Sequence, residues 1–138
     1  EKIIGLKGYL CGVIQLTVDS GQLTVESGQL RVDSVHFAWD RYEDKELIVP
    51  KFKMFKDITG WKARKTSVFV LTNFDTTIEQ DLERIYTLRD MDYDPYVMVY
   101  DKQHTKGGDT VRLLQRYVNN RKIFKTIKRF EDYNPRMG

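Results

Sequence analysis

Ser67-Val-Phe-Val-Leu-Thr72, followed by Asn73-Phe-Asp75 and then Thr76-Thr-Ile-Glu79, is the stretch on which the fold turns. The first run is β-branched and aromatic throughout, with no polar alternation. Such a run suits a strand covered on both faces, as in a parallel sheet. Thr76 and Glu79 then form the Thr-x-x-Glu pattern of a capping box, which opens a helix. Ile78, Leu82, Ile85, Tyr86 and Leu88 supply its apolar stripe and leave Arg84 or Arg89 to solvent. Strand, short polar loop and amphipathic helix together make one strand–helix unit.

The same unit recurs on either side. Upstream, Val35, Phe37 and Trp39 alternate with His36 and Ala38, a strand ending near Asp40. Leu47, Ile48, Phe52, Phe55 and Ile58 follow at helical spacing. Pro50 makes the first turn irregular or marks the helix start, and Gly60 is placed as the C-cap. Downstream, Pro95-Tyr-Val-Met-Val-Tyr100 reads as a third strand with its proline at the edge. After a polar loop, Thr110 caps a helix carrying Val111, Leu114, Tyr117 and Val118, and the tail from Arg121 reads as a solvated basic amphipathic helix. The order βα, βα, βα implies a parallel α/β layer with right-handed crossovers. Its open edges invite pairing with another chain or with the N-terminal segment.

Residues 1–33 are of another kind. Leu16-Thr-Val-Asp-Ser-Gly-Gln22 repeats as Leu23-Thr-Val-Glu-Ser-Gly-Gln29 and, degraded, as Leu30-Arg-Val-Asp-Ser34. Thr and Val disfavour helix, and Ser-Gly closes each unit with turn chemistry. The segment is therefore expected as a short β-rich extension, a hairpin or a loose arm, ahead of an α/β unit spanning 34–138.

Composition narrows the function classes. The chain has 138 residues with 41% hydrophobic and 31% charged side chains, enough for one core without the roughly 20-residue apolar run that spans a bilayer. Glu1-Lys2-Ile3-Ile4 lacks the basic-then-apolar order of a secretory leader, so the expectation is a cytoplasmic protein. A net charge of +3 is too mild to imply a nucleic-acid partner. The single cysteine, Cys11, excludes an intrachain disulfide, and with only His36 and His104 beside it a structural zinc site is not expected. Neither histidine has a carboxylate or nucleophile at a telling spacing, so no catalytic residue is assigned.

Four segments carry a resemblance: Phe37-Ala-Trp-Asp40, Phe52-Lys-Met-Phe-Lys-Asp-Ile-Thr-Gly-Trp61, Val70-Leu-Thr-Asn-Phe-Asp-Thr-Thr77 and Pro95-Tyr-Val-Met-Val-Tyr-Asp101. With Leu114-Gln-Arg-Tyr-Val-Asn-Asn-Arg-Lys-Ile-Phe124, they resemble the C-terminal half of radical S-adenosylmethionine (radical SAM) enzymes, in a bacterial and phage-associated branch. The resemblance implies half of a (β/α) barrel, with these strands as its fourth to sixth. In that family a Cys-x3-Cys-x2-Cys loop holds a 4Fe-4S cluster. No such loop is present here, so the expectation is a truncated, catalytically incompetent relative without the cluster. The resemblance also implies a retained part of the S-adenosylmethionine site at the carboxyl ends of the strands, where such folds bind ligands. Asp40 and Asn73 would contact ribose or the amino-acid moiety, the Tyr100 backbone adenine, and Asp101 stands beside it. Asn and Asp are also favoured there simply as turn residues. A reading from a different class is a non-catalytic binding or assembly module acting through an open sheet edge.

Overall fold

The structure, a computed structural model, describes residues 6–10, 14–19, 22–25, 34–101 and 109–137, with side chains over 34–101 and 109–136. Strands β1 (Leu6–Leu10), β2 (Ile14–Asp19), β3 (Gln22–Val25), β4 (Val35–Trp39), β5 (Thr66–Thr72) and β6 (Asp94–Val99) form one sheet in the order β3-β2-β1-β4-β5-β6. Helices α1 (Lys45–Thr59) and α2 (Ile78–Asp90) connect β4 to β5 and β5 to β6, and α3 (Thr110–Asn119) and α4 (Arg121–Thr126) follow. No helix among the described residues is long and apolar enough to cross a membrane.

Strands β4, β5 and β6 are parallel, as their alternation with helices implies, with Phe37 opposite Val68 and Val70 opposite Val97. Their order runs one way across the sheet. Right-handed crossovers therefore put α1 and α2 on the same face. On that face Val35, Phe37, Trp39, Val68, Val70 and Val97 are buried in a single core with Phe52 and Phe55 of α1, Ile85 and Leu88 of α2, and Leu114 and Tyr117 of α3. Phe37 sits edge-on to both Phe52 and Phe55 at ring-centroid distances of 5.7 and 5.1 Å, a favoured aromatic geometry. The opposite face carries Phe69, Tyr96 and Met98 at 36%, 45% and 47% exposure. On that second face of β5 Ser67 is buried and Leu71 half-buried, so the run at 67–72 is fully covered on the helix side and partly covered on the other.

The N-terminal segment joins this sheet. The two Leu-Thr-Val repeats face each other as an antiparallel pair, Leu16 against Val25 and Val18 against Leu23. β1 pairs antiparallel with β4, Gly8 opposite Phe37, and so occupies the β4 edge. Ser20-Gly21, where a turn is expected, and the third repeat unit, up to Asp33, lie outside the described residues, as do Cys11 and His104.

The far edge, at β6, is closed by a side chain. Asn119, the last residue of α3, accepts a hydrogen bond from Val97 N–H at 2.7 Å and donates one to Val97 C=O at 3.1 Å. One amide thereby replaces a strand partner. Pro95, in the same outward phase two residues earlier, has no N–H to offer. Within the described sheet, the edge left to a further strand is that of β3.

Several local expectations shift. Pro50 lies inside α1, so the carbonyl of Glu46 loses its intrahelical donor. Of the expected stripe, Ile48, Phe52 and Phe55 are buried, while Leu47 and Ile58 flank it exposed. Gly60 caps the helix as expected, at φ 65°, its N–H bonded to Lys56 C=O. The α2 capping box is Thr77 with Gln80, one residue beyond the Thr76–Glu79 pair, because Thr76 bonds the Asp81 carboxylate instead. Asp109 is the N-cap of α3, with Thr110 its first helical residue.

The tail is helical over Arg121–Thr126, with its basic side chains exposed as expected, but its apolar side packs into the core and the helix ends there. Asn120 caps the short α4, and Phe124 is buried against Tyr117, whose ring also meets Phe130 and Tyr133. Tyr117 Oη donates to Ile127 C=O, and the Phe130 N–H donates to Tyr86 Oη. The tail completes the core rather than extending from it.

Candidate functional site at the carboxyl ends of the strands

The carboxyl ends of β4, β5 and β6 present Asp40, Asn73 with Phe74 and Asp75, and Tyr100 with Asp101, all exposed. Asn73 and Asp101 both adopt left-handed backbone, at φ 65° and 54°. That region costs an ordinary residue about 1 kcal/mol and suits Asn and Asp best among the non-glycines. The chain therefore turns sharply at both strand ends, and the Asn73 side chain lies over the sheet end against Tyr100. Asn73 Nδ2 donates to Tyr100 C=O at 3.2 Å, and Tyr100 N–H donates to Thr72 C=O at 2.9 Å. Phe74 and Tyr100 stack edge-to-face, with centroids 4.8 Å apart and exposures of 59% and 50%.

Two of the four expected ligand residues, Asn73 and Tyr100, are thus brought into contact. Asp40 stands at the end of the neighbouring strand, and Asp101 follows Tyr100. The Tyr100 N–H is already committed within the sheet. Its carbonyl keeps one lone pair beyond the one Asn73 uses. For an adenosyl group, the donor set is an exposed aromatic pair for a purine ring and carboxylates or an amide for hydroxyls.

Beneath these turns lies an ion pair built on Arg84, one of the two arginines (Arg84 or Arg89) expected to face solvent. Arg84 is fully buried, and Asp81 is 1% exposed. Arg84 Nη1 donates to Trp39 C=O, and Nη2 to Leu71 C=O and to Asp81 Oδ1, each at 2.7 Å. Thr76 Oγ1 donates to the same Asp81 oxygen at 2.5 Å. One guanidinium therefore ties the ends of β4 and β5 together, immediately before Asp40 and two residues before Asn73. Burial pushes the Asp81 carboxyl above its ordinary range, and the bonds from Thr76 and Arg84 pull it back. A signal for the pair was present: 81, 84, 85 and 88 follow the i, i+3, i+4, i+7 pattern of one helix face, with an acid and a base at i, i+3. Near the same end, Glu83 accepts from Tyr42 Oη at 2.9 Å and pairs with Lys45, joining the start of α1 to α2.

The partly covered sheet face is a second element. His36 stacks on Phe69 with rings 7° from parallel and centroids 5.7 Å apart, and Phe69 meets Tyr96 edge-on at 5.7 Å. One aromatic from each parallel strand thus forms a row, and His36 Nδ1 lies buried in it without a hydrogen-bond partner. Among the described residues, no three His, Cys, Asp or Glu side chains converge as a metal-ligand set.

Comparison with protein-family models, curated proteins and solved structures returned no match for this chain.

Proposed function

We propose that these residues act as half of a (β/α) barrel of the radical SAM type, a binding module that contributes part of an S-adenosylmethionine site. The observation that carries this reading is the uneven cover of the parallel strands. All their helices pack on one face, the arrangement of a barrel wall. The other face, which would line the barrel interior, bears Tyr96 and Met98 exposed and Phe69 partly exposed, with the half-buried His36 stacked on Phe69. The two-faced apolar composition of β5 fits a strand that meets further strand–helix units there. Asp40, Asn73, Tyr100 and Asp101 then stand at the end where such barrels bind ligands. With one cysteine in 138 residues, the ligands of an iron–sulfur cluster would have to come from outside this segment.

Titrating S-adenosylmethionine into the chain, followed by two-dimensional amide NMR, tests the reading. The expected result is weak saturable binding, with shifts centred on Asp40, Asn73 and Tyr100 and abolished by Asp40→Ala with Asn73→Gly. Glycine is the replacement at 73 because it keeps the left-handed backbone. No shifts at millimolar ligand, or shifts unchanged in the double variant, would overturn it.

A second reading, an assembly module, is favoured by the aromatic row rather than by an edge of the parallel strands, since Asn119 and Pro95 close the β6 edge and β1 covers β4, which leaves the β3 edge alone within the described sheet. Sedimentation of the chain at increasing concentration tests it. Self-association that disappears in Phe69→Lys with Tyr96→Lys supports it, and a monomer at all concentrations argues against association with itself.

A further inference from the structure

At the amino ends of the strands, remote from the ligand site above, the docked tail forms a cleft of about 180 Å³ against β6 and the end of α2. We propose that this cleft is an oxyanion site that takes a phosphate group, from inorganic phosphate or a small phosphate ester. Its charged lining is Arg89, Arg121, Lys125 and Lys128 against Asp92 and Asp94. Two positive charges are thus left over inside a concave surface, the balance a phosphate dianion would satisfy.

The two guanidiniums are held in place before any ligand arrives. Arg89 Nη1 donates to Phe124 C=O at 3.3 Å and Nη2 to Lys128 C=O at 2.6 Å, and the group lies over the Tyr86 and Phe124 rings at 5.0 and 4.6 Å. A guanidinium has five N–H donors, and these two bonds with a further one to Tyr117 leave others for an oxyanion. Arg121 Nε pairs with Asp94 at 2.5 Å, and the Asp94 side chain is 12% exposed, so this partner is fixed in the wall. Lys125 and Lys128, both exposed, sit on the rim, where mobile ammonium groups can close on a bound anion. Phe124 and Tyr93, both buried, form the apolar part of the lining, which strengthens charge–charge attraction at the site. The site is built by packing of the tail: the bonds from Arg89 to the carbonyls of residues 124 and 128 bring α2 and the tail cations into one lining.

The test is titration of inorganic phosphate against the chain at constant ionic strength, read by amide and Arg side-chain NMR, with sulfate and chloride as comparators. The expected result is saturable binding in the millimolar range, in the order phosphate, sulfate, chloride, with shifts confined to Arg89, Asp94 and 121–128. Lys125→Gln with Lys128→Gln should weaken phosphate binding at least tenfold, while Lys53→Gln, which removes a cation from an exposed position on α1, leaves it unchanged. Shifts that never saturate, that are equal for all three anions, or that fall equally in the Lys53 variant would overturn the proposal. The cleft lies at the opposite strand ends from Asp40 and Asn73, so its failure would not touch the S-adenosylmethionine reading.

Discussion

Asp81→Asn removes one negative charge from the interior while leaving volume and shape almost unchanged. Arg84 then keeps its bonds to Trp39 C=O and Leu71 C=O, but its positive charge is buried with no counter-ion. Breaking a buried pair from one side typically costs about 3–5 kcal/mol, because the remaining charge stays desolvated. Both partners are at most 1% exposed, so solvent offers little relief, and a loss of about 3 kcal/mol or more is expected. A domain of this kind has roughly 5–15 kcal/mol in total, so the midpoint of urea unfolding should fall conspicuously. Trp39 is a suitable fluorescent reporter, being fully buried and the residue whose carbonyl Arg84 binds. Arg84→Met should cost a comparable amount, since two strand-end carbonyls lose a charged donor at about 1.5–3 kcal/mol each. Asp81→Asn with Arg84→Met leaves no buried charge, so the double variant should be less destabilised than the sum of the singles by about 2 kcal/mol or more. A loss below about 1 kcal/mol for Asp81→Asn, or additive single effects, would refute the role given to this pair.

Other expectations follow from single contacts. Asn119→Leu removes both partners of Val97, so it should cost about 1–3 kcal/mol in urea unfolding and expose the β6 edge, visible as concentration-dependent sedimentation. Burial lowers the Lys56 ammonium from its ordinary value to about 8, with Lys62 adding to the shift and Asp92 opposing it. The unfolded chain therefore binds more protons above pH 8, and stability should rise with pH from there. Burial of the Tyr93 phenol raises its pKa above the ordinary 10.0, so stability should fall again once unfolded tyrosine ionises. The urea midpoint should thus crest near about pH 10, and Lys56→Met should lose the rising limb. Gly60→Ala meets nothing within 4 Å, so its expected cost of about 1–2 kcal/mol, measured by thermal unfolding, is purely that of a left-handed backbone.

The local grammar of this chain was legible without coordinates. Alternation at 35–39, the unbroken run at 67–72, the helical stripes at 48–55 and 78–88, and the glycine at 60 all depend on interactions within a turn or a strand. Side-chain spacing alone reports these. The antiparallel pairing of Leu16–Val18 with Leu23–Val25 is compatible with the hairpin that the repeat offered beside a loose arm.

What needed the tertiary structure was everything decided between elements. Strand order made both right-handed crossovers fall on one face, leaving Phe69 and Tyr96 partly exposed although β5 is composed for two covered faces. Asn119 closes an edge only because α3 returns beside β6, and the apolar side of the tail, centred on Phe124, is covered only because Tyr86, Arg89 and Tyr117 receive it. The Asp81–Arg84 pair shows the division most sharply. Its helical spacing was readable, but charges at core positions are stable only if partners from other strands complete them. Here those partners are the Trp39 and Leu71 carbonyls, which lie 45 and 13 residues away in the chain.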